Sequence, residues 1–263
     1  MQTPIILRPV FTRRLAQRLL AGGAINVIGT DAQGASRLLV DLMRIAPDDV
    51  RVLLADMQLY GQDYPGFMAE ISQQLGFESP AESLDELVEA FQVHGGKFWL
   101  LINHLDLIWQ RENAHPGYDV TFWESLKRFW LSPSLALLAV SDQPLEVHIS
   151  DMEAFVMTDG LDFDPRPLPP LNFKRIRESL ETTIPGLQDS MAWANEIFSN
   201  PYPYPYLTYI QDQMLRHPMP DHRYSLRLMN TWREAFEQMQ AQELPDKQSP
   251  ASWWEHIRNW FNT

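Results

Sequence analysis

Gly29 and Gly34 stand with four residues between them behind an apolar, β-branched run, and Ala35 and Ser36 follow directly. The pattern G-x-x-x-x-G-K-[ST] cradles phosphate. Its backbone N–H groups converge on the oxyanion, its lysine reaches the terminal phosphates, and its hydroxyl goes to magnesium. The loop Gly29-Thr30-Asp31-Ala32-Gln33-Gly34-Ala35-Ser36 meets every position but one, since Ala35 replaces the lysine. Asp31 adds a carboxylate to the same loop, and a like charge opposes an anion at short range. The amides still form an anion nest if the turn is kept. Without the lysine, Ser36 reads as a capping or backbone-supporting hydroxyl at the start of the next helix.

Such a loop needs a strand behind it and a helix ahead of it. Helical spacing of Phe11, Leu15, Leu19 and Leu20 predicts a helix over 8–20, ended by Gly22-Gly23. A strand over 24–28 enters the loop, and Leu38, Leu39, Leu42 and Met43 mark a helix over 36–45. Further strands are expected at 50–56, 98–103 and 135–141, with a shorter fifth at 154–157. Between them lie helical stretches at 67–75 and 84–93, and a helix bearing Phe122, Leu126, Phe129 and Trp130. Strands that are apolar throughout and alternate with helices are buried on both faces, as in a parallel sheet. The spacing therefore predicts a three-layer α/β core over 1–160.

Composition changes at 161–170, where Pro165, Pro167, Pro169 and Pro170 suggest a stiff connector. The rest, 171–263, reads as all-helical, with helices at 173–183, 187–198, 206–216, 222–242 and 252–261. The Pro-Tyr repeat of 201–206 reads as a rigid turn ahead of a helix, with a polyproline-like ligand surface as the alternative.

Charge narrows the function classes. With 21 Lys plus Arg against 34 Asp plus Glu, the formal net charge is −13. Binding to a nucleic-acid backbone needs an electropositive footprint, so no nucleic-acid partner is expected. The chain has no cysteine, which removes disulfides, thiolate metal sites and a Cys nucleophile. Seven histidines show no pair at ligand spacing, and no metal is expected. The longest apolar run, 98–102, is far short of the roughly 20 residues that span a bilayer. The expected location is cytoplasmic, with no membrane partner.

In sequence order these motifs resemble the AAA-like and STAND branch of P-loop ATPases over about 8–215. Arg8-Pro9 is similar to the family's approach to its first helix, and Gly29 to Leu39 is similar to its phosphate loop. Asp56 matches an acidic end to the second strand. Leu100-Leu-Ile-Asn-His-Leu-Asp106 sits in the frame of the Walker B strand, and Leu135 to Leu145 in that of the sensor strand. Leu168-Pro-Pro-Leu171 and Pro205-Tyr-Leu-Thr-Tyr-Ile-Gln211 are similar to the entry and core of a helical lid. The resemblance implies a P-loop NTPase core of the ASCE, AAA-like type, followed by a helical lid and C-terminal helices.

It also implies what is missing. Asn103 stands where a carboxylate would hold magnesium, and a neutral amide is a poor ligand for that hard cation. His104 stands where a glutamate would activate water. Asp106 persists, and by itself suits the cap of the next helix. Asp142 follows Ser141 where a basic residue is common. Asn103, His104, Asp106, Ser141 and Asp142 thus read as vestiges of a catalytic set. Gly29, Thr30, Asp31, Gly34, Ala35 and Ser36 read as a vestigial nucleotide loop. Each lost transition-state charge costs about 10²–10³-fold in rate. The expectation is a pseudo-ATPase with no required cofactor, retaining at most weak ATP or ADP binding. It would be a regulatory or scaffolding subunit for a separately encoded protein, by family analogy in bacterial signalling or defence. One alternative is an NTPase using His104 and Asp106 and completed by a partner; another is a transposition or replication loader. At the C-terminus Trp253, Ile257, Trp260 and Phe261 share a helical face, with Trp254 beside them. They read either as a docking helix or as a partner-binding anchor.

Overall fold

The structure, a computed structural model, describes residues 5–110, 115–131, 134–144 and 164–243. Among the described residues, five strands form one parallel sheet: β1 (Gly23–Ile28), β2 (Val50–Asp56), β3 (Lys97–Asn103), β4 (Leu135–Ser141) and β5 (Asp164–Pro167). Their order is β2-β3-β4-β1-β5. Because every pairing is parallel, the loops that follow β1, β3 and β4 leave from one edge of the sheet.

The strands carry few polar residues because both faces are covered. Leu53 and Ala55 of β2, Leu100 and Ile102 of β3, and Leu135, Leu137 and Ala139 of β4 belong to one cluster. Their neighbours Leu54, Leu101 and Leu138 are equally buried, and the pleat turns them to the opposite face. The first cluster is closed by helices α4 (Tyr64–Leu75), α5 (Leu84–His94) and α7 (Val120–Leu131). It holds Phe67, Tyr118 and Phe122, with Tyr118 and Phe122 edge-to-face at 5.0 Å. Helix α1 (Pro9–Leu20) buries Leu15 and Leu19, and α2 (Ala35–Ile45) buries Leu38, Leu39 and Leu42. Two short helices, α3 (Met57–Tyr60) and α6 (Leu107–Gln110), follow β2 and β3 directly.

The fifth strand lies at Asp164–Pro167, inside the proline-rich stretch, whereas 154–157 falls outside the described residues. Prolines fit there because β5 is an edge. Leu168 N–H donates to Ile28 O at 2.8 Å, so residues 166 and 168 face β1. Pro165 and Pro167 then present their missing N–H groups outward, where no partner strand lies among the described residues.

Four α-helices follow among the described residues: α8 (Phe173–Thr183), α9 (Ser190–Phe198), α10 (Pro203–Arg216) and α11 (Leu226–Glu243). They pack around Trp193, Tyr206, Tyr224, Trp232 and Phe236. Asn172 caps α8, accepting from Lys174 N–H at 2.8 Å. The Pro-Tyr repeat is a turn only as far as Tyr202. From Pro203 onward it is helix, since proline at the first helical position costs no hydrogen bond. Gln211 ties α10 to α8, its Nε2 donating at 2.7 Å from Thr183 Oγ1. The aromatic residues 253–261 lie outside the described residues.

The chain forms two compact units. One holds 10–30 and 35–168; the other holds 5–9, 31–34 and the helices from 169. The turn of the glycine loop therefore groups with the helical unit.

Candidate functional site

In the sheet unit, β2 and β3 end side by side with Asp56 paired to Asn103 in register. Asn103 is fully buried. Its Nδ2 donates to Asp56 Oδ2 at 3.0 Å and to Ser36 Oγ at 3.1 Å. Both amide protons are thereby used, and Oδ1 is buried with no hydrogen-bond partner among the described residues. The other carboxylate oxygen of Asp56 caps α3, accepting from Gln58 N–H at 2.9 Å. The same Oδ1 lies 2.9 Å from His104 Nδ1.

His104 completes a chain. Its Nε2 lies 3.0 Å from Gln58 Nε2, an amide nitrogen that can only donate. With the Gln58 amide so oriented, Nε2 accepts and Nδ1–H donates to Asp56. The lone pair that a general base would use is occupied by Gln58. His104 also holds a left-handed backbone, φ +53°, an uncommon conformation for a residue with a Cβ. The result is a continuous polar run from Ser36 through Asn103, Asp56 and His104 to Gln58.

Asp106 sits just beyond, 2% exposed. Burial first, then the charge of Asp142, push its carboxyl above the usual carboxylate range. At the end of β4, Ser141 Oγ lies 2.9 Å from Asn26 Oδ1 and 2.6 Å from Gln143 O, so its one proton serves acceptors of the protein itself. Gly29 N–H donates to Ser141 O at 2.9 Å.

The glycine loop has its own internal bonds. Asp31–Gln33 form a 3₁₀ turn, Gly34 N–H donates to Asp31 O at 2.8 Å, and Ala35 N–H donates to Thr30 O at 3.2 Å. Two amides that an anion would need are thus already donated within the loop. Ser36 is the second residue of α2 rather than its cap, correcting the capping expectation, and its Oγ accepts from Asn103.

The structure brings Ser36, Asn103 and His104 together and places Asp106 and Ser141 at the same sheet edge. Lys97 opens β3, at the far end from Asn103. A cavity of about 460 Å³ near Lys97, lined by Asp48, Arg51 and Gly96 among others, lies at that opposite edge. Among the described residues no cluster of three or more metal-ligating side chains occurs, and no helix is long and apolar enough to cross a membrane. Asn26 and Gln58 escaped sequence reasoning. Asn26 had a signal, a buried amide inside an apolar strand, whereas Gln58 had none, because its role depends on the turn after β2.

No family model matches the sequence, and neither does any curated protein. Solved structures do match. The ORC2 protein of Aeropyrum pernix, solved as ADPNP–ADP complexes, aligns with a TM-score of 0.65 at 12% identity, over 88% of this chain and 69% of its own. A Walker-type ATPase of Pyrococcus abyssi aligns at 0.63 and 14% identity, over 92% and 75%. Domain III of the Thermotoga maritima replication initiation protein DnaA aligns at 0.53 and 13% identity, over 88% and 94%. At such identities the likeness concerns the fold: this chain has the parallel-sheet fold of AAA+ and P-loop NTPases.

Proposed function

We propose that this protein is a catalytically inactive member of the STAND or AAA-like group that works by binding another protein, as a regulatory or scaffolding subunit. The carrying observation is Asn103. Its amide nitrogen lies between Ser36 Oγ and the Asp56 carboxylate, 3.1 and 3.0 Å away. In a working site of this fold the hydroxyl after the loop and the acidic end of β3 would share magnesium. Here a neutral donor satisfies both neighbours, and a cation would have to displace it.

The other substitutions agree in direction. Ala35 supplies no charge to a terminal phosphate, and His104 has its basic nitrogen engaged by Gln58. These features support loss of turnover and leave only weak ATP or ADP binding for the loop. A partner-completed NTPase using His104 and Asp106 gains no support from this geometry. A role as a DNA-bound loader is opposed by the −13 net charge. The reading assigns the partner to a separately encoded protein, with bacterial signalling or defence as the setting by fold analogy. The aromatic set Trp253, Trp254, Ile257, Trp260 and Phe261 is the proposed anchor.

Titration calorimetry with ATP and magnesium, paired with a phosphate-release assay, tests the proposal. The expected result is no turnover and at most weak binding. Saturable binding accompanied by phosphate release overturns it.

A further inference from the structure

In the helical unit, the turn of the glycine loop is gripped by two side chains far away in sequence. Gly34 has φ +81°, and a Cβ built on it would lie 2.8, 3.0 and 3.2 Å from Cγ, Cδ2 and Cδ1 of Tyr204. The Tyr204 ring therefore lies directly on the Gly34 backbone, and only glycine fits beneath it. The second grip is Arg8, 7% exposed. Its Nη2 donates to Gln33 O at 2.5 Å and its Nε to Pro169 O at 2.6 Å. Charge-assisted bonds of this kind are about twice as strong as neutral ones.

We propose that Tyr204 and Arg8 form an intramolecular clamp that holds the turn 31–34 in one conformation through the chain's own side chains. The Pro-Tyr repeat supplies the ring. Pro203 opens α10 and fixes its own φ, and Tyr204, the next residue, packs against the aromatic cluster of the helical unit. Leu7, next to Arg8, is buried in that same cluster. The clamp also protects the loop's internal bond from Gly34 N–H to Asp31 O. An incoming anion can use that amide only if the turn opens, and the turn opens only if the ring moves. The turn 31–34 is thus held within the helical unit by that unit's own side chains. This holds whether or not the protein turns over nucleotide.

Hydrogen–deuterium exchange on the ligand-free full chain tests the clamp separately from catalysis. In the wild type, the amides of Gly34 and Ala35 are expected to exchange at least about tenfold slower than an open loop would. Tyr204→Leu, which keeps apolar volume but loses the planar ring, should remove most of that protection. Tyr204→Phe should keep it. Arg8→Gln, which leaves the aromatic cluster intact, should also release the turn, while peptides from 173–183 stay protected in every variant. Open-loop exchange in the wild type overturns the proposal. So does unchanged protection in both Tyr204→Leu and Arg8→Gln, or a loss in these variants that extends equally over 173–183.

Discussion

Placing a carboxylate at position 103 should destabilise the protein. In the wild type Asn103 Nδ2 donates to Asp56 Oδ2 at 3.0 Å, with the two residues 0% and 3% exposed. Asn103→Asp replaces that donor with an acceptor and sets two carboxylates at about the same separation. With an effective dielectric near 20, their repulsion is about 5 kcal/mol. The chain has an escape, because the new carboxyl can take up a proton instead. From an ordinary value near 3.9, staying protonated at about pH 7 costs roughly 4 kcal/mol, and at about pH 5 only roughly 1.5 kcal/mol. The smaller cost always wins, so protonation caps the electrostatic damage. A carboxyl whose folded-state pKa is raised destabilises the native state above its unfolded pKa. The penalty therefore grows as pH rises through about 4 to 7 and disappears in acid. Urea unfolding at about pH 5 and pH 8 should show the variant less stable than the wild type by about 1–2 and 5 kcal/mol respectively. Millimolar magnesium should recover part of the loss at the higher pH, because a cation between Ser36 Oγ and two carboxylates replaces the lost donor. A loss below about 1 kcal/mol at both pH values, or one that grows as pH falls, would refute the buried contact on which the reasoning rests.

Two further predictions concern buried phenols. Tyr118 donates to Tyr60 O at 2.7 Å, and burial pushes its phenol well above the ordinary tyrosine range. Above about pH 10 the unfolded chain ionises while native Tyr118 stays protonated, so stability falls as pH rises. Tyr118→Phe should flatten that alkaline slope at a cost near neutrality of about 1 kcal/mol, measured by thermal unfolding across the pH range. The Tyr206 hydroxyl is buried and has no hydrogen-bond partner among the described residues. Tyr206→Phe removes an unsatisfied group, so the variant should match or exceed the wild type by about 1 kcal/mol in the same assay, and a clear loss would reveal a partner.

Much of this molecule was legible in its residues. The apolar runs 53–55, 98–102 and 135–140 declared strands buried on both faces, because only a three-layer packing hides every side chain of such a run. Ala35, Asn103 and His104 could be judged individually, since a missing charge is a property of the residue itself. The strand at Asp164–Pro167 was not foreseen, because Pro165 and Pro167 argue against a strand until its edge position among the described strands is known. Sequence also could not say what the substituted residues do now. That Asn103 joins Ser36 to Asp56 depends on the register of β2 against β3 and on the approach of α2, which no local pattern carries. Tyr204 read as part of a turn motif, and its contact with Gly34 spans 170 positions of the chain. Residue type and local periodicity fixed which charges the loop and strand ends carry and which elements form. Long-range pairing alone decided how the remaining polar groups satisfy one another, because hydrogen bonds and ring contacts depend on positions in space, which chain order does not set.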